Sequence, residues 1–210
     1  MVSKFKKHTF LTFIIIFIVT FSSGIIVGKN MSSSGLSNIE KLMQNSELNT
    51  ESFLVEQDLI NGLGEDNCGF AQARLYGMSH ELGKIGSTLA DDMAEETLGK
   101  NMFNLLKRKY HMMQIQTYLM YHKLRSECNL DMNVVLFFYD SGKDSKTQGE
   151  VLDKLVNDFD ITVFAIEYNY SRELKFIEDF YSIEKNPYLV LNFDKEFSGL
   201  TSYDVIKDEI

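Results

Sequence analysis

Cysteine, proline and positive charge are scarce in this chain of 210 residues, and each scarcity narrows what it can do. The two cysteines, Cys68 and Cys128, stand sixty residues apart, so no Cys-x-x-Cys motif is present to run local dithiol exchange. Two thiols also cannot complete a Cys-rich zinc site. His80-Glu81 opens like a zincin helix motif, but Lys84 stands where the second histidine belongs. His111 and His122 are eleven apart on one predicted helix and lack a spaced acidic or cysteine partner, so no metal is expected. Basic residues number 21 against 30 acidic ones, and no basic-aromatic stripe is present, which argues against nucleic acid as a partner. Lys107-Arg108-Lys109, the densest basic run, reads as a solvated helix face. Phosphate loops, dinucleotide glycine motifs and nucleophile elbows are missing too, so no cofactor is expected.

One long apolar run is present. Thr9 to Gly28 carries no charge and is rich in Phe and Ile; twenty helical residues span roughly 30 Å, the thickness of the hydrocarbon layer. Its apolar character continues through Ile25, Ile26 and Val27, past the length of a typical signal core, which favours an anchor over a cleaved signal peptide. Lys4, Lys6 and Lys7 precede it and only Lys29 follows closely, so the expected orientation is amino terminus in the cytoplasm and the rest outside. That exported part is more acidic than the whole, with 18 basic against 30 acidic residues.

Four regions follow from the patterning: an anchor over 1–28, a tether with short helices over 29–66, a helical hairpin over 67–128 and an α/β domain over 129–210. Ala71, Leu75, Met78, Leu82, Ile85 and Leu89 step by three and four, predicting a helix from about Cys68 to Asp91. A second helix is predicted from about Glu95 to Glu127, with Leu106, Tyr110, Met113, Thr117, Met120 and Leu124 on one face. The short connection makes the pair an antiparallel hairpin. After Cys128 the period changes. Strands are predicted at 134–139, 161–168, 188–193 and 197–200, and helices at about 146–158, 171–183 and 201 onward, an order of β-α-β-α-β-β-α with a mostly parallel sheet.

The segment VVLFFYDSGKDSKTQGEVLDKL, with Val151, Leu152 and Leu155 as an apolar stripe, and Asn186-Pro187 ahead of a later strand resemble the thioredoxin-like family. Gly199 falls where that family has a glycine after its β-hairpin. The resemblance covers about residues 133–210. With the anchor and hairpin, the layout is similar to membrane-anchored thioredoxin-like proteins of microbes, some archaeal. It implies an active-site turn at Gly142, Lys143, Asp144 and Ser145, and a cis-proline groove at Asn186, Pro187 and Tyr188. The family's two cysteines are replaced by Gly142 and Ser145, and neither side chain forms a mixed disulfide. Ser145 reads instead as a helix cap, with Asp144 adding favourable charge. No catalytic residue is assigned.

In an antiparallel hairpin the ends bearing Cys68 and Cys128 lie side by side, which predicts a structural disulfide suited to an exported domain. The expected function is a non-catalytic binding or assembly module with a protein or peptide partner. Two alternatives stay open: an oxidoreductase working through Cys68 and Cys128, and a hairpin that itself docks the partner.

Overall fold

A computed structural model describes residues 68–210 together with the isolated helical positions Lys41, Gln44, Leu48, Ser52 and Val55. The anchor expected at 9–28 and most of the tether lie outside the described residues; among those described, no helix is long and apolar enough to cross a membrane. The chain divides into two units, Met1–Leu48 and Asn49–Ile210, and every element below belongs to the second.

Helix α1 (Cys68–Leu89) presents Ala71, Leu75, Met78, Leu82 and Ile85 as one buried stripe, as the three-and-four spacing requires. The second predicted helix is not continuous. It begins as a short α2 (Ala94–Leu98), breaks at Gly99 and resumes as α3 (Lys100–Cys128). Gly99 has φ 75 and ψ 148, a combination that side-chain-bearing residues avoid, so the apolar period passes through a residue whose backbone leaves the helix. Ala71, Leu75 and Met78 pack against Met120 and Leu124. Burial of each large apolar side chain stabilises by roughly 2 kcal/mol. A disulfide between Cys68 and Cys128, with Cα atoms 5.7 Å apart, closes the open end of this pair.

Strands β1 (Asn133–Tyr139), β2 (Ile161–Glu167), β3 (Tyr188–Leu191) and β4 (Lys195–Ser198) form one mixed sheet in the order β2-β1-β3-β4. β1 and β2 are parallel, while β1–β3 and β3–β4 are antiparallel. Thus one pair of neighbours is parallel and two are not, unlike the mostly parallel sheet that counting strand-helix-strand units suggested. β4 starts two residues ahead of its predicted position, because Asn192 and Phe193 adopt positive φ and turn the chain early.

β1 is central and its middle five residues are all buried, which accounts for its unbroken apolar run. On one face Val135, Phe137, Leu189 and Leu191 meet Leu152 and Leu155 of α4 (Lys143–Asp158) and Ile206 of α6 (Tyr203–Lys207). On the other, Phe164 meets the rings of Tyr118 and Tyr121 from α3, and Phe138 lies 6.4 Å from the ring of Tyr181. The helix predicted over 171–183 is shorter than its pattern: a 3-10 turn (Arg172–Leu174) leads into α5 (Lys175–Phe180), and Ser182 at φ 48 ends it. Likewise α6 covers only five residues of the stretch predicted from Thr201 onward.

The edge of β2 is sealed by a side chain. Gln114 of α3 accepts from the Ala165 N–H at 2.7 Å and donates to the Ala165 carbonyl at 3.0 Å, taking the place of a neighbouring strand. Hairpin and sheet therefore share polar contacts as well as apolar ones.

Candidate ligand groove and its surroundings

Register brings the predicted turn and the proline together. Phe138 pairs with Tyr188, so the exit of β1 at Tyr139 and Asp140 runs beside Pro187 and Asn186, which lead into β3. The Asn186–Pro187 peptide is cis. The Pro187 carbonyl accepts from the Gly199 N–H at 2.7 Å, which brings the segment after β4 to the same place.

Gly142 to Ser145 is less of a turn than its sequence suggests. Gly142 flanks the helix in extended conformation and α4 starts at Lys143, three residues ahead of the predicted Lys146. Ser145 is correspondingly not the cap. It sits within the first helical turn, is buried, and reaches back to Asp140: its Oγ accepts from the Asp140 N–H at 3.0 Å and donates to Asp140 Oδ1 at 2.8 Å. Asp140 Oδ1 also accepts from the Gly142 N–H at 2.8 Å. The serine hydroxyl, followed by that N–H, holds the Asp140 carboxyl below the usual carboxylate range. A side chain at 142 would collide with this arrangement, since an added Cβ would stand 2.8 Å from Asp140 Oδ1. The turn is thus built around a carboxylate and a glycine, and a cysteine at 142 would displace the carboxylate.

Behind it, Gln148 is fully buried. Its Oε1 accepts from the Thr201 N–H at 2.7 Å, tying α4 to the loop after β4, while its Nε2 has no hydrogen-bond partner. Asn186 Oδ1 is likewise buried and unpartnered. Tyr188 donates to the Glu196 carboxylate; burial, reinforced by that bond, raises its hydroxyl above the usual tyrosine range. The turn and the proline segment offer hydrogen-bonding groups and no free thiol: Lys143 and Asp144 are solvent-exposed, and the two cysteine sulfurs are bonded to each other elsewhere.

Sequence reasoning missed Asp140, Gln114 and the Gln148–Thr201 bond. The Asp-x-Gly spacing of Asp140 and Gly142 was the one readable signal, since Asp readily bonds the N–H two residues on. The other two depend on partners fifty or so residues away.

His111 is buried at 1% exposure, with Nε2 unpartnered and Nδ1 facing the Gln114 amide at 3.4 Å. Burial, then the Lys107 charge, pushes it down to about 4, so it is neutral at ordinary pH. The Tyr139 hydroxyl is pushed up to about 12, by burial first and Glu167 second. No metal-binding cluster occurs among the described residues.

No family model matches this chain, and no curated protein matches it. Among solved structures it is similar to one described as that of a malarial protein, at 15% identity over 37% of this chain and 92% of that chain, with a TM-score of 0.33. A likeness at that score carries no argument.

Proposed function

We propose that this chain is a membrane-anchored, extracytoplasmic protein whose carboxy-terminal part is a thioredoxin-like domain without thiol catalysis, acting as a binding module for an extended protein or peptide segment. The observation that carries the reading is the meeting of Asn186-Pro187 with a helix start built from Asp140, Gly142 and Ser145 in place of thiols. The sheet order β2-β1-β3-β4, with α4 and α6 on one face, supports the fold assignment. Asn186, half-buried at the cis proline, and the exposed Lys143 and Asp144 supply polar groups that backbone of a bound segment can meet. The anchor rests on the apolar segment Thr9 to Gly28 and the lysines before it.

The full chain is expected to leave insulin disulfides intact yet to bind alkylated insulin B chain, which offers extended backbone and no thiols. Asn186→Ala, at a half-buried position beside the cis proline, should weaken that binding about threefold, as loss of a hydrogen bond does. Reduction of insulin at the rate of an active dithiol enzyme would sink the reading.

A second reading is an oxidoreductase using Cys68 and Cys128, favoured by one observation: Cys68 opens α1, and a thiol at a helix amino end is readily ionised. Turnover that disappears in a folded Cys68→Ser variant would establish it. If instead the hairpin docks the partner, B-chain binding would be unaffected by Asn186→Ala.

A further inference from the structure

A cleft of about 520 Å³ opens beyond the carboxyl end of β2 and is lined by Asn104 and Arg108 of α3 and by Tyr170 to Glu173. In α/β sheets the space past the carboxyl ends of parallel strands is where ligands collect, and β1 and β2 are the parallel pair here. The charge in this cleft runs against that of the molecule. Arg108 and Arg172 line it together with a single carboxylate, Glu173, in a chain of net charge −9. The Arg108 Nη1 donates to Glu173 Oε1 at 2.9 Å, and both groups remain substantially exposed, at 41% and 56%. The Glu173 carboxyl is held below the usual range first by its own backbone N–H and then by the Ser171 hydroxyl, with Arg108 and Arg172 adding smaller contributions.

The remaining groups make a wall. Tyr170 donates to Asn104 Oδ1 at 3.0 Å, bracing the loop against α3. Lys107 is neutralised by Glu167 at 2.5 Å and lies over the Tyr170 ring at 4.7 Å, so it fixes that ring and adds no net charge. Among the residues that line the cleft, two guanidinium groups stand with one carboxylate, while Glu95 acts on Tyr170 from close by. Arginine forks match carboxylates in geometry, and Glu173 already shows which chemistry Arg108 accepts.

We propose that this cleft binds the carboxylate of a ligand, which displaces Glu173 from Arg108 and is shared with Arg172. Both a small organic acid and the free carboxy terminus of a peptide present that group. Glu173 acts as a built-in competitor, so its removal and removal of an arginine shift affinity in opposite directions. This sign pattern separates a ligand site from a surface ion pair.

The test is titration of the full chain, following arginine Nε–H NMR signals and binding heat, with succinate, with neutral succinamide, and with a short peptide whose terminus is free or amidated. Succinate is expected to shift Arg108 and Arg172 saturably and succinamide to leave them unmoved. Glu173→Gln should tighten binding about three- to fivefold, the range of an exposed ion pair. Arg108→Gln or Arg172→Gln should each weaken it about tenfold, the loss of a charge-assisted bond. All three positions are surface positions, and an unchanged melting curve checks that each variant folds. Succinate alone would identify a small acid, and dependence on a free peptide terminus would identify the latter source. Equal response to succinamide, or an affinity that Glu173→Gln leaves unchanged or lowers, would overturn the proposal.

Discussion

At the amino end of α1 a cysteine is joined covalently to the far end of α3, whereas at the amino end of α4 a serine and an aspartate satisfy each other through hydrogen bonds. The two helix starts are fixed in different ways, one by a covalent bond to a distant segment and one by local hydrogen bonds. The first holds two distant segments together and leaves no free sulfur. The second leaves a short polar bracket beside Pro187, where hydrogen bonds hold the local shape. The difference teaches that the cysteine pair ties distant segments together, while the start of α4 is shaped by oxygen atoms close in sequence.

Breaking the first arrangement should have the largest effect. Replacing both Cys68 and Cys128 by Ser removes a constraint on a loop of about sixty residues and should lower stability by about 4 kcal/mol, read from urea unfolding. Wild-type protein in reductant should match the variant; an unchanged midpoint in both would show that α1 and α3 hold together by packing alone.

The next effect tests the seam between hairpin and sheet. His111 has a folded value of about 4 against 6.5 unfolded, so the unfolded chain binds the extra proton between those limits. Stability is therefore fully present above about pH 6.5 and falls as the pH drops toward 4, by about 3 kcal/mol. His111→Leu should flatten that part of the stability-against-pH curve. Lys107 on the same helix opposes protonation further, and the facing Tyr170 stays neutral throughout. A variant with the full acid slope would assign the loss to other groups.

Breaking the oxygen bracket should have the smallest effect. Ser145→Ala removes the bonds to the Asp140 N–H and carboxylate and should cost about 1 kcal/mol in chemical unfolding. The Asp140 carboxyl should rise toward its ordinary value, followed by NMR titration. Taken together, the order of effects would confirm a covalent α1 end and a weakly held α4 end; a Ser145 effect near that of the cysteines would invert the comparison.

Much of the element map was legible because it rests on local periodicity: the α1 stripe, the apolar run of β1 and the Cys68–Cys128 pairing of helix ends. The break at Gly99 was hidden, since apolar residues kept their spacing on both sides of it. Helix α4 began early because Asp140 brackets it from outside the helix, a device that capping preferences at Ser145 obscure. In the groove, Pro187 was readable from its uniqueness. Gln114 and Gln148 were not, because glutamine carries no periodic signature and each finds a backbone partner brought near only by the folded sheet.

The sulfur bridge also sets a line of force. A pull on the chain ahead of Cys68 crosses directly to Cys128 and reaches β1 at Asn133 five residues later. The helical pair between the two sulfurs carries none of that tension, so a load on this end is borne by the central strand while α1 and α3 stay slack and folded.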